Sequence, residues 1–240
     1  MGRCASASGR CRRLGKPCAS GRCVARVVRR LHDRRWRDKL GLFFVEGEDA
    51  VAAATAQPVD VLRAGDDVEP ALLAEVSTAA HPPRVIALFR REDLPPWEVR
   101  RATLALWEVG DPGNVGTLIR TADAFAAAVA LSPRCADPTS PKALRASAGS
   151  IWRVPLGTWQ AGNSPLRGRR VALVAHGGEA LASLDLSGPI TFLLGSERAG
   201  LPADIPRDVE ARIPITHAES LNVAAAGAIA LYELARCDSV

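Results

Sequence analysis

The chain has 240 residues, 48% of them hydrophobic and 24% charged, with 31 Lys and Arg against 26 Asp and Glu. That is enough apolar material for one large core or two small ones, and it excludes wholesale disorder. No apolar run reaches the ~20 residues of a membrane span. The basic N-terminus has no apolar stretch behind it, so no secretory signal is expected and a cytoplasmic protein is.

The charge is uneven. Residues 1–40 carry 13 Lys and Arg against only Asp33 and Asp38, whereas the other 200 residues carry 18 basic and 24 acidic groups. Such a segment serves equally well as a landing site for a polyanion or as a solvated basic tail. Four of the six cysteines (Cys4, Cys11, Cys18, Cys23) fall in the repetitive stretch 1–23, with ASASGRC echoed by ASGRC. Only the Cys18–Cys23 gap comes near zinc-ligand spacing, so a low-complexity, disordered extension is expected there and no metal site.

From Val24 the pattern changes. Val24, Val27, Val28 and Leu31 share one helical face, with arginines on the other. LFFVEG then reads as a strand, EDAVAAATAQ as a helix ended by Pro58, VDVLRAG as a strand, ALLAEVSTAA as a helix and RVIALF as a strand. This alternation predicts a small α/β unit over 24–96, closed by the proline-bearing linker REDLPPWEVRR. Beyond it come the strand TLALWEV, the helix VGTLIRTADAFAAA, the strand AVALSP and the helix PKALRASAGS, which proline opens. RRVALVAH and ITFLLGS follow as apolar strands. SLNVAAAGAIALYELAR closes the chain as a helix apolar almost all round, hence buried or pressed on a partner. Strands apolar on both faces predict a parallel sheet covered by helices on each side, with ligands at the carboxyl ends of its strands.

Three loops sit at such ends: DPGNVG, GSERAGLP and IPITHAESLN. No GxGxxG or Walker lysine loop is present. The loops offer glycines for close backbone approach, Asn114, Ser220 and Asn222 as hydrogen-bonding groups, and Arg120 and Glu197 as charges. His32, His176 and His217 lack metal-ligand spacing and read as ordinary polar positions, with His217 retained as a candidate substrate contact. The five tryptophans are scattered and read as packing residues.

DPGNVGTLIRTADAF, LLGSERAGLP and IPITHAESLNVAAAGAIALYE resemble, in order and spacing, the three motifs of the SpoU/TrmH branch of the SPOUT methyltransferases. SPKALRASAGSIWRVPL matches a further segment of that branch, and residues 24–96 look like the ribosomal-protein-like substrate-binding domain that precedes its catalytic domain. One departure stands out: only THAE separates IPI from SLN, without the usual glycine. The resemblance implies a trefoil-knotted methyltransferase domain over 97–240 working as a homodimer. It also implies an S-adenosylmethionine-dependent enzyme acting on a ribose 2'-hydroxyl of RNA, ribosomal RNA above transfer RNA, without a metal. An inactive RNA-binding protein and a base methyltransferase are the rival functions.

By the same resemblance the catalytic set is Arg120, Asn114, Glu197, Ser220 and Asn222. Cofactor contacts fall on Gly195, Ile213 and Leu221, with Leu194, Gly200 and Ile215 alongside. Arg26, Arg29, Arg30, Arg34, Arg35 and Arg37, with Arg145, are the expected RNA contacts. Arginine is essentially always protonated, so Arg120 suits charge stabilisation better than proton abstraction.

Overall fold

Val24, Ala25, Val28 and Leu31 are buried along one side of α1 (Gly21–Leu31), the face that their spacing predicts. The helix starts one turn earlier than expected, at Gly21. A Cβ at that glycine would lie 2.5 Å from the Asp67 carbonyl oxygen, so the helix start can approach that turn only without a side chain. The structure is a computed structural model, and it describes residues 21–79, 81–160 and 165–238. The expected tail lies outside them up to residue 20. The described residues divide into two compact units, one within 21–52 and 57–91 and the other within 53–56 and 92–238.

In the first unit Asp33 caps α2 (Arg34–Leu40), its carboxylate accepting the Arg35 N–H at 2.8 Å. Then follow β1 (Leu42–Glu46), α3 (Glu48–Ala52), β2 (Asp60–Arg63), α4 (Pro70–Val76) and β3 (Val85–Arg90). The three strands form an antiparallel sheet in the order β1-β3-β2, with Phe43 opposite Phe89. The helix expected over EDAVAAATAQ is confined to Glu48–Ala52 and buries none of its residues, so it gains no packing that would extend it.

One expected RNA contact is corrected here. Arg37 is only 3% exposed, and its guanidinium donates to the carbonyls of Leu31 and His32 at 2.6 and 2.9 Å. It satisfies the orphan carbonyls at the end of α1 and is out of reach of a phosphate. Arg29 pairs with Glu75 at 2.6 Å and Arg34 with Asp38 at 3.8 Å. Arg26 and Arg35 are exposed, while Arg30 and Lys39 approach the Trp36 ring at 4.8 and 5.0 Å. Trp36 therefore supports cations as well as packing.

The second unit contains β4 (Ala102–Leu106), α5 (Pro112–Ala124), β5 (Ala128–Leu131), α6 (Pro141–Ser147), β6 (Leu156–Thr158), β7 (Arg169–Leu173), β8 (Glu179–Ala180), β9 (Ile190–Leu194), β10 (Val209–Arg212) and α7 (Val223–Asp238). Its strands pair in parallel in the order β6-β5-β4-β9-β7-β10-β8, which is the parallel sheet expected. Every residue of β4, β5 and β9 is buried, as apolar runs covered on both faces require. One core gathers Leu104, Leu118, Ile119, Phe192 and Leu231, and another gathers Ala105, Trp159, Leu193 and Ile205. On α7 the buried face is Val223, Ala224, Gly227, Ala230, Leu231 and Leu234. The other side leaves Tyr232 58% exposed, so the helix is covered on one side only within a single chain.

Candidate functional site

Three loops leave the carboxyl ends of β4, β9 and β10, the ends at which a parallel sheet holds its ligands. In the first, the Asp111 carboxylate accepts the N–H groups of Gly113 and Asn114 at 2.7 and 3.1 Å and so caps α5, with Pro112 in the first turn. Lys142, on α6, reaches the other Asp111 oxygen at 2.6 Å. That ammonium, helped by the two backbone donors, holds the Asp111 carboxyl below its ordinary value against a smaller opposing effect of burial. Gly116 answers to close packing: a Cβ there would lie 2.3 Å from the Ala143 carbonyl oxygen, so α5 meets α6 backbone to backbone.

The second loop folds back on itself. Ser196 and Gly200 exchange backbone hydrogen bonds of 3.2 and 3.0 Å, and a Cβ on Gly195 would lie 2.2 Å from the Gly200 carbonyl carbon. The tight turn presents Glu197. In the third loop Asn222 opens α7, its Oδ1 accepting the N–H groups of Ala224 and Ala225 at 2.8 and 3.3 Å.

Side chains join the three loops into one relay. Asn222 Nδ2 donates to Asn114 Oδ1 at 3.0 Å, and Asn114 Nδ2 donates to Glu197 Oε1 at 2.8 Å. Its direction is fixed by chemistry. The α7 backbone N–H groups can only donate, so the Asn222 atom facing them must be oxygen. Its amide nitrogen then faces Asn114, whose oxygen must face back, and the Asn114 nitrogen is left to meet Glu197. Glu197 ends the relay as an acceptor, and the Gly110 N–H also points to it at 3.4 Å. Burial pushes the Glu197 carboxyl up, but the hydrogen bonds from Asn114 and from backbone groups outweigh it and hold it below its ordinary value. A carboxyl so held stays ionised at neutral pH.

Beside the relay lies a cleft of about 590 Å³ formed where the chain leaves β7, β9 and β10. Leu194, Gly195, Gly200, Ile213, Ile215 and Leu221, the six expected cofactor contacts, all line it, as do Glu197, Ser220 and Asn222. Asn114 reaches it through its bonds to Glu197 and Asn222. Arg120 does not line the cleft. It is exposed on α5, six residues and about 9 Å of helix axis beyond Asn114. Arg145 is exposed on α6, also outside the lining. Arg198 and Glu219 line the cleft without having been singled out in the sequence, and so does His176, which reads there as an ordinary polar position. The signal for His176 was present: it follows an apolar strand, β7, at the end where ligands bind. His217, retained as a substrate contact, is not in the lining.

Leu194, Ile213, Ile215 and Leu221 give the cleft apolar walls, and the glycine-closed turn brings backbone to its edge. Carboxylates, Arg198 and amides stand beside them. A ligand combining a flat apolar ring with a charged tail fits this mixture. Among the described residues no group of three or more His, Cys, Asp or Glu gathers as a metal would require.

The chain is similar to known proteins. Residues 101–232 match the SpoU rRNA Methylase family. An uncharacterized tRNA/rRNA methyltransferase of Synechocystis is 31% identical, over 89% of this chain and 90% of its own length. The Bacillus subtilis 23S rRNA (guanosine(2553)-2'-O)-methyltransferase RlmP is also 31% identical, over 86% of this chain and 93% of its own. Among solved structures, the SpoU methyltransferase AviRb from Streptomyces viridochromogenes in complex with AdoMet superimposes with a TM-score of 0.78 at 25% identity, covering 90% of this chain and 98% of that one.

Proposed function

The chain belongs to the SpoU rRNA methylase family, and from that premise we propose that it is an S-adenosylmethionine-dependent RNA methyltransferase that modifies a ribose 2'-hydroxyl of ribosomal RNA. The observation that carries this reading is the relay Asn222–Asn114–Glu197, which ties three strand-end loops together at the wall of a cleft suited to that cofactor. The ribosomal target is supported by the Bacillus subtilis relative, which spans nearly the same length. The 2'-hydroxyl itself excludes DNA.

Leu194, Gly195, Gly200, Ile213, Ile215 and Leu221 would hold the cofactor, which supplies an electrophilic methyl group bonded to a positive sulfur. Methyl transfer to the ribose oxygen would release the hydroxyl proton, which would pass to solvent water. Glu197, held below its usual pKa, is a poor acceptor for that proton, so its role is to fix Asn114 and the first loop. Arg120 keeps its charge and stabilises the negative charge growing on the ribose oxygen, while its planar fork can grip an adjacent phosphate. Asn222 holds the third loop through its bonds to Asn114 and to the start of α7, and Ser220 offers its hydroxyl in the lining of the cleft. Much of the remaining acceleration comes from alignment of oxygen, carbon and sulfur.

Because Arg120 does not line the cleft of its own chain, a homodimer belongs to the proposal, along with the trefoil knot that the resemblance implies. The open side of α7, where Tyr232 is exposed, offers the surface for a two-fold contact. Light scattering at micromolar concentration is expected to give about twice the 25.4 kDa of one chain, and a monomer mass would refute the dimer. Arg26, Arg30 and Arg35, with Lys39, are the basic groups we assign to RNA anchoring, and a cytoplasmic location follows from the substrate. No helix among the described residues is long and apolar enough to cross a membrane.

Calorimetry tests the cofactor assignment. With chelator present, the protein is expected to bind S-adenosylmethionine and its demethylated product with measurable heat. Binding that appears only after zinc is added would overturn the metal-free reading.

A further inference from the structure

The loop that carries Asn114 leaves the sheet through an unfavourable backbone conformation. Glu108 has φ of 52°, in the left-handed region that side chains other than glycine, asparagine and aspartate rarely adopt. It lies between the end of β4 and the cap Asp111. The Trp107 N–H still donates to Leu194 of β9 at 2.8 Å, so Glu108 is the first residue released by the ladder. Just beyond the kink the Gly110 N–H meets Glu197, and one helical turn further on Asn114 does the same through its side chain. The direction of the kink therefore decides whether the relay can form.

A residue in a sparsely populated conformation persists only where its surroundings over-determine it. Here the surroundings are Ser132 to Ala136, the segment that follows β5. The Glu108 N–H donates to the Ser132 hydroxyl oxygen at 2.9 Å, and the Val109 carbonyl accepts from the Ala136 N–H at 2.9 Å. Just before the kink, the Leu106 carbonyl accepts from the Ser132 N–H at 2.9 Å, from the Trp159 indole N–H at 3.1 Å and from the Cys135 thiol at 3.3 Å. Ser132 grips both sides of the kink, with its backbone before Glu108 and its hydroxyl at it. It is 4% exposed and does not line the cleft, so neither cofactor nor RNA explains a buried hydroxyl there. The other tie on Glu108 is an ion pair to Arg134, whose side chain is 77% exposed and correspondingly weak.

We propose that Ser132 is a positioning residue for methyl transfer: its hydroxyl locks Glu108 in the left-handed kink that delivers Gly110 and Asn114 to Glu197. It acts through the loop and touches no reacting atom. The proposal rests on the methyltransferase reading above.

The full chain carrying Ser132→Ala is assayed for methylation of ribosomal RNA, at a temperature where circular dichroism shows it folded. Misplacement of a reacting group by an ångström can cost about 100-fold, so a fall in kcat of about 10- to 100-fold is expected. KM for S-adenosylmethionine should stay where it was, because the cleft is built from the other loops. Glu108→Gly added to Ser132→Ala should then restore most of kcat, since glycine takes positive φ unaided. A hydroxyl with a merely structural role would lower the melting temperature, and glycine at 108 would not return kcat. Wild-type kcat in Ser132→Ala, or no recovery in the double variant, overturns the proposal. If Ser132→Ala does not fold, Glu108→Val in the otherwise unchanged chain takes its place, because a β-branched residue resists the kink. Loss of kcat at constant KM then supports the proposal and wild-type kcat overturns it. An unaltered chain that methylates no RNA would sink the methyltransferase reading, and this proposal with it.

Discussion

Arg120→Ala is expected to leave folding and S-adenosylmethionine affinity nearly untouched while slowing methyl transfer by about 10²–10³-fold, the usual cost of losing a preorganised charge at a developing oxyanion. Both halves of that expectation come from where Arg120 stands. It is exposed on α5, and among the described residues no carboxylate is paired with it, so its removal breaks no ion pair. Exposed helix positions of this kind change stability by a few tenths of a kcal/mol, about ±0.5 at most. Its proposed contact is with the ribose oxygen and phosphate of the RNA, and it is not among the residues lining the cleft of its own chain, so the cofactor should bind as before. Arg120→Lys discriminates further. Lysine keeps the charge and loses the planar fork, so poor rescue means a two-point grip on ribose and phosphate, and good rescue means charge alone. Single-turnover rates at saturating RNA are the measurement. A near wild-type rate in the alanine variant would leave Arg120 as an ordinary surface residue.

Asn222→Asp should separate stability from function in the opposite way. Aspartate caps a helix as well as asparagine does and adds a favourable charge at the α7 N-terminus, so the melting temperature should hold or rise. The relay, however, loses its donor. Where Asn222 Nδ2 met Asn114 Oδ1 at 3.0 Å, a carboxylate oxygen now faces an amide oxygen. Asn114 can turn its amide to meet the introduced carboxylate, but its oxygen then confronts the Glu197 carboxylate that it now serves at 2.8 Å. Either outcome misplaces the first loop, and a fall in rate of about 10²-fold is expected. The pH dependence carries the signature. Two carboxylates in one network raise the pKa of the first to bind a proton, and the introduced carboxyl, once protonated, can donate to Asn114 again. The variant should therefore regain activity as pH is lowered, relative to the unaltered enzyme. Wild-type activity at neutral pH would show that relay direction is immaterial.

The sequence carried the parts of this molecule that are local. β4, β5, β7 and β9 announce themselves as apolar runs because they lie within the sheet and are covered by helices and loops, and the proline opening α6 marks its first turn, whereas α5 starts at Pro112, inside a stretch that reads as a loop. β6 and β8, of three and two residues, have too little pattern to be seen and exist because a neighbouring strand offers hydrogen bonds. Strand order was equally hidden: β9 pairs with β4, Ala102 opposite Ile190, a contact that no window of sequence contains. The three loops could be picked out by composition, yet their union through Asn114 could not, since the bonds run to partners 83 and 108 residues away. Arg37 misled for a related reason. In a run of arginines nothing distinguishes the one that turns inward to cap α1 from those that face water. Glu108 gave no warning, because glutamate does not advertise positive φ as glycine does.

The central claim concerns one atom, and one measurement reaches it. Ribosomal RNA incubated with the protein and isotopically labelled S-adenosylmethionine, in chelator, can be digested to nucleosides and fragmented in a mass spectrometer. The label is predicted on the sugar fragment of a single nucleoside, as a 2'-O-methylribose, and all but lost with Arg120→Ala. Label on the base fragment, or none on any RNA offered, would contradict the account.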